Sequence, residues 1–156
     1  MAIAGLLAEC DRGSPLQHLA VLGFTDVAVA ALTEEPDARA LAAYLDGVAG
    51  LRCYPGWCGG LGNPDVLRGE LALRFGDLDA AERHFRTGLE WASQPDVRFL
   101  VDQGRCLQGL AEVAERRGDV ETARTHLDAA GELFARHGGA KLYLDQVLAK
   151  KEFLKA

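Results

Sequence analysis

No stretch of this chain approaches the roughly 20 consecutive apolar residues that a membrane-spanning helix needs, so no membrane anchor is expected. Cationic charge is also short. The 17 Lys and Arg stand against 23 Asp and Glu, a formal charge of −6. Phosphate backbones and anionic headgroups are held by basic faces, so neither nucleic acid nor a membrane is an expected partner. The opening, MAIAGLLAECDRG, puts no basic residue ahead of its short apolar stretch. That argues against a secretory signal, and the cytoplasm is the expected location.

Catalytic and metal-binding signatures are missing as well. Gly-x-Ser-x-Gly is absent, so no nucleophile elbow is expected. Four residues separate Cys53 from Cys58, which is not the Cys-x-x-Cys redox spacing, and no second cysteine pair or clustered histidines follow at zinc spacing. The glycine-rich run 56–62 precedes no Lys-Ser/Thr and follows no predicted strand, so it is not read as a phosphate cradle. No enzyme, metal or cofactor is expected. The four cysteines, Cys10, Cys53, Cys58 and Cys106, are expected to be free thiols packed as small apolar groups. The segment 53–58 reads as a structural loop with packed aromatics, a redox-sensitive pair and a metal site being the alternatives.

What is present points to helices. The apolar fraction is 49%, Ala and Leu dominate, and no long β-branched run appears. The 18 Gly and 5 Pro are therefore expected to punctuate helices. Ser14-Pro15 and Asn63-Pro64 read as caps followed by a first-turn proline. Apolar spacing predicts helices over 16–32, 37–48, 65–75, 80–92, 97–117, 121–136 and 141–155. Gly76 and Gly118 are placed as left-handed C-terminal glycines. An irregular stretch is expected over 52–63 and a loop over 93–96.

Two segments, 67–92 and 108–135, superpose. Each carries Gly-Asp at its turn, Gly76-Asp77 and Gly118-Asp119, 118 − 76 = 42 residues apart. Five residues after the glycine comes Ala81 or Ala123, nine after comes Phe85 or Leu127, and twelve after comes Gly88 or Ala130. A small residue, Gly69 or Ala111, sits seven before. A weaker third copy lies in 23–50. Small residues let two helices cross closely and large apolar residues fill the groove to the next pair, so such hairpins must stack to bury their faces. His84 and His126 occupy equivalent places, which suggests repeat structure rather than catalysis. Trp57, Trp91, Phe99, Leu100 and Phe134 read as packing residues.

This pattern resembles the tetratricopeptide repeat, on Gly69, Ala72, Ala81, Phe85 and Gly88 in one copy and Leu110, Ala111, Ala114, Ala123, Leu127 and Ala130 in the other. Two departures stand out. Asp65/Leu107 and Ala72/Ala114 replace the family's early Trp and its Tyr, and the period exceeds the usual ~34 residues. The longer period looks more like the repeat regions of large bacterial regulators, including LuxR-type activators with an ATPase domain and class III cyclases. The resemblance implies an all-α, right-handed α-α superhelix in a single domain, 1–156. Its hairpins would cover about 15–50, 64–92 and 97–137, with a capping helix at 141–155.

The function so implied is a non-catalytic interaction module, the regulatory part of a larger signalling or transcription system. Its expected partner is a protein or peptide, or a second copy of itself as a homodimer. A small-molecule sensor is the alternative. In such an array the concave face is lined by the first helix of each pair. Asp26, Glu70 and Glu112 follow the small position in the three copies and are expected to form a column of negative charge, with Arg105, Gln108, Glu115 and Arg116 nearby. That column would suit a peptide with basic or donor groups and repel a terminal carboxylate.

Overall fold

The computed structural model describes residues 35–47 and 63–154. The predicted helix at 16–32, Asp26, and the segment 53–58 with Trp57 lie outside them. The described residues are all-α, with six helices and no strand. These are α1 (Glu35–Gly47), α2 (Pro64–Phe75), α3 (Leu78–Ala92), α4 (Leu100–Arg116), α5 (Val120–His137) and α6 (Lys141–Phe153).

The two Gly-Asp turns fold alike. Gly76 and Gly118 take φ of 77° and 82°, the left-handed conformation that glycine adopts without a Cβ penalty. At each, the following aspartate's N–H reaches back to an alanine carbonyl, Asp77 to Ala72 and Asp119 to Ala114, both at 2.9 Å. This is the Schellman closure. The same aspartates then cap the next helix, Asp77 accepting from the Ala80 N–H and Asp119 from the Thr122 N–H. One dipeptide thus stops one helix and starts another, which fixes the angle at both turns.

Between α3 and α4 the chain does something different. The apolar spacing predicts a helix from about residue 97, yet α4 begins at Leu100. Arg98 has φ of 47°, which no α-helix accommodates. Val97 is instead buried with Trp91 and Ala92, and the Trp91 and Phe99 rings meet edge to face at 5.3 Å. The Phe99 N–H and the Gln103 side chain both donate to the Ala92 carbonyl, which closes the end of α3.

Two aromatic rings centre the core. Phe85 of α3 is buried between α2 and α4, where a Cβ at Gly69 or Gly109 would fall 2.6 or 2.3 Å from its ring. Phe134 of α5 presses on Gly104 of α4 in the same way, 2.4 Å from a hypothetical Cβ, and stacks on Tyr143 of α6. Leu127, Ala123 and Ala130 complete the second cluster, Ala81, Val66 and Leu110 the first.

Candidate functional site

A cleft of about 470 Å³ opens where α2, α4 and α6 converge over α3. From α2 come Glu70 and Leu73, and from α3 the Phe85 ring. Helix α4 contributes Arg105, Gln108, Gly109 and Glu112, and α6 contributes Leu142, Tyr143 and Gln146. Four of the residues expected on the concave face, Glu70, Arg105, Gln108 and Glu112, are therefore brought to one place. Arg116 sits beside it on α4, one turn beyond Glu112. Asp26 lies outside the described residues.

The charge pattern differs from the expected column. Glu70 and Glu112 do not stand as bare negative groups. Arg105 Nη2 donates to Glu70 Oε1 at 2.8 Å, joining α4 to α2. Arg116 Nε donates to Glu112 Oε1 at 2.9 Å, and Lys150 Nζ donates to Glu112 Oε2 at 3.0 Å. Lys150 Nζ also pairs with Glu115 Oε2 at 2.5 Å. Three carboxylates thus meet three cations. The repulsion expected for a carboxylate ligand loses its source, because the like charges are neutralised within the protein.

The titration behaviour follows from this. Burial works to raise the Glu112 carboxyl, but the hydrogen bonds from Lys150 and Arg116 outweigh it and hold the group below its ordinary value. Burial likewise works to lower Lys150, and its contacts with Glu115 and Glu112 outweigh that and hold the ammonium above its ordinary value. Arg116 Nη1 also donates to the Leu73 carbonyl at 2.7 Å, tying α4 to α2 at the cleft's edge.

The apolar part of the wall is Leu73, Phe85, Leu142 and Tyr143. Leu142 is 68% exposed and forms an open lip. The Arg105 guanidinium carbon stands 5.9 Å from the Tyr143 ring centroid, while the ring's stacking partner is Phe134, at 5.3 Å. The Gln108 and Gln146 carboxamides add groups that both donate and accept.

A second polar group sits at the start of α2, where the sequence predicts only a helix cap. Asn63 and Asp65 at the start of α2 are each 1% exposed. Asn63 Nδ2 donates to the Gly88 carbonyl at 2.8 Å, its Oδ1 accepts from the Asp65 N–H, and its own N–H donates to Asp102 Oδ2. Arg68 pairs with Asp65 at 3.1 Å, and His84 Nδ1 stands 3.7 Å from the same oxygen. Gly88 lets this group pack closely, since a Cβ would stand 3.0 Å from Asn63 Nδ2 and Cys106 Sγ and would push them aside. Burial, then the Asp102 charge, pushes the Cys106 thiol far up, which favours the protonated thiol.

The sequence signal for this group was Asn63-Pro64 alone. Its tertiary partners, 25 and 39 residues away, left no local mark. Among the described residues no group of three or more His, Cys, Asp or Glu could hold a metal ion, and no helix is long and apolar enough to cross a membrane. No family model, no curated protein and no solved structure matches this chain.

Proposed function

We propose that the chain is a non-catalytic helical-repeat module of tetratricopeptide type that binds an apolar peptide segment of a partner protein in the α2/α4/α6 cleft. Support for the repeat reading comes from the two like-folded Gly-Asp turns and from Phe85 and Leu127, both buried at corresponding places. A right-handed superhelix, with α6 as a cap, belongs to this same proposal. So do the cytoplasmic location and a regulatory role.

One observation carries the ligand class. Glu70, Arg105 and Glu112 are each engaged by a charge of opposite sign within the protein. A charged ligand group must break one of those pairs to be recognised, whereas an apolar side chain finds Leu73, Phe85, Leu142 and Tyr143 at no such cost. Gln108 and Gln146 supply the donors and acceptors that a peptide backbone needs. The basic peptide suggested by an acidic column is therefore not the favoured ligand.

Selection from a displayed random peptide library tests this. The wild type selects peptides rich in aliphatic and aromatic residues, and Leu142→Arg, at an exposed position, weakens them at least about tenfold. Failure to select any peptide, or equal binding by Leu142→Arg, overturns the reading. The cleft's volume, within the range of about 300–1,000 Å³ common to small-molecule sites, favours a second reading, a small-molecule sensor. Its mark would be a ligand that raises the unfolding temperature of the wild type and not of Leu142→Arg, with no peptide selected.

A further inference from the structure

Helix α6 is attached to the protein unlike the other helices of the 63–154 region. Val147 is its single buried residue, packed against Gly131, while Leu142, Leu148 and Phe153 are exposed. Its start has no side-chain cap, and two glycines precede it, Gly138 in the left-handed conformation at φ 71° and Gly139. A helix with so little apolar burial draws little of its stability from packing. Several of the contacts that tie it down are polar. Lys150 lies between Glu112 and Glu115 of α4, Lys151 pairs with Asp128 of α5, and Arg124 donates to the Leu154 carbonyl at 2.7 Å. The Tyr143–Phe134 stack and the partly buried Leu144 and Leu154, which pack on the same apolar cluster, are further ties.

Three of these side chains also belong to the cleft. Leu142 and Tyr143 form its α6 wall, and Glu112, which receives Lys150, lines the opposite side. The same carboxylate thus shapes the cleft and fastens the wall.

We propose that α6 is a latched, movable wall of the cleft, hinged at Gly138–Gly139 and fastened by Lys150 between Glu112 and Glu115. With the latch closed the cleft has walls on both sides. With it open, Tyr143 leaves Phe134, the α6 wall is withdrawn, and Glu112 and Glu115 turn to solvent. The hinge residues carry no Cβ, so the change of direction is absorbed there without strain in either state. The inference goes beyond the peptide-binding reading and is testable without a ligand.

Hydrogen exchange followed by mass spectrometry reads it on the full chain. In about 0.1 M NaCl, amides of 141–153 exchange about tenfold faster than those of α4 and α5, because a local opening exposes them alone. Lys150→Met accelerates 141–153 by about a further fivefold and leaves α2 to α4 at wild-type rates. Raising the salt to about 1 M, which shortens the Debye length from about 10 to about 3 Å, accelerates α6 in the wild type and much less in Lys150→Met. The salt series needs no variant, so the test survives poor folding of Lys150→Met. Exchange of 141–153 in step with α5 at every salt concentration overturns the proposal. So does a Lys150→Met that leaves α6 unchanged or accelerates all helices alike.

Discussion

Gly109 faces the Phe85 ring so closely that a Cβ would fall 2.3 Å from Phe85 Cζ. The ring is held on its other side by Gly69, where the corresponding distance is 2.6 Å. Phe85 is thereby the point at which α2, α3 and α4 meet, and it forms the floor of the cleft.

Gly109→Ala is expected to destabilise the fold although alanine is the better helix former by about 1 kcal/mol. The added methyl has no room, and overpacking of a filled core costs about 1–3 kcal/mol, which outweighs the gain. Adding Phe85→Leu to Gly109→Ala recovers part of the loss, because the smaller side chain makes the space. Urea unfolding of the two variants and the double variant measures it. A Gly109→Ala protein more stable than wild type contradicts the close approach.

Asn63→Ala removes more than a helix cap. The Gly88 carbonyl loses its 2.8 Å donor in a buried place, and the Asp65 N–H loses its acceptor. The lost buried hydrogen bond costs about 0.5–1.5 kcal/mol, and the lost cap about 1 kcal/mol. The expected midpoint shift in chemical denaturation is therefore larger than that of Asp77→Ala, whose cap at the start of α3 is exposed. Equal shifts would show that the buried network adds nothing.

The turns were legible in the sequence and the notches were not. Gly76-Asp77 and Gly118-Asp119 announce themselves because a left-handed stop and an N-cap are local chemistry, satisfied within six residues. Gly104 and Gly109 read as weak helix residues, since what they serve, the rings of Phe134 and Phe85, lies 30 and 24 residues away in the chain. The same holds for charge. Position after the small residue of each repeat was enough to bring Glu70 and Glu112 to one cleft. It could not show that Arg105 and Lys150, 35 and 38 residues distant, neutralise them. Arg98 was missed for a third reason, because a positive φ at a long side chain is set by the burial of Val97 beside it, not by local preference.

Acidification is expected to weaken the fold in two separate steps. Burial, with help from the Arg86 charge, holds His126 below its ordinary value of 6.5. The unfolded chain then binds this proton more readily than the folded one, so stability falls as pH drops below about 6.5. Glu112 is held below its ordinary value of 4.5, so its contribution is present above that value and is lost as pH falls through the lower, folded one. Thermal unfolding between pH 8 and pH 3 reads both. His126→Gln removes the first step and keeps the second, and Glu112→Gln does the reverse. A His126→Gln profile that still falls between pH 7 and pH 5.5 as the wild type does would assign that step elsewhere.

The paired charges of the cleft give a last expectation about selectivity. Glu70 is the carboxylate that Arg105 meets at 2.8 Å, and Arg105 is only 11% exposed at its side chain. Glu70→Gln keeps the shape and removes one negative charge from beside Arg105, so the cleft becomes more positive than in the wild type. Two effects then oppose each other. Stability falls by about 1 kcal/mol as a partly buried pair loses one charge. Affinity for ligands bearing a carboxylate rises, because recognising one no longer requires displacing Glu70. Peptides selected on Glu70→Gln are expected to gain Asp and Glu at a fixed place in an otherwise apolar sequence, and Glu70→Gln/Arg105→Gln returns the selection to apolar residues. Identical selections from the wild type and Glu70→Gln would mean that the peptide does not pass over α2, and that the Glu70–Arg105 pair serves only to hold α2 against α4.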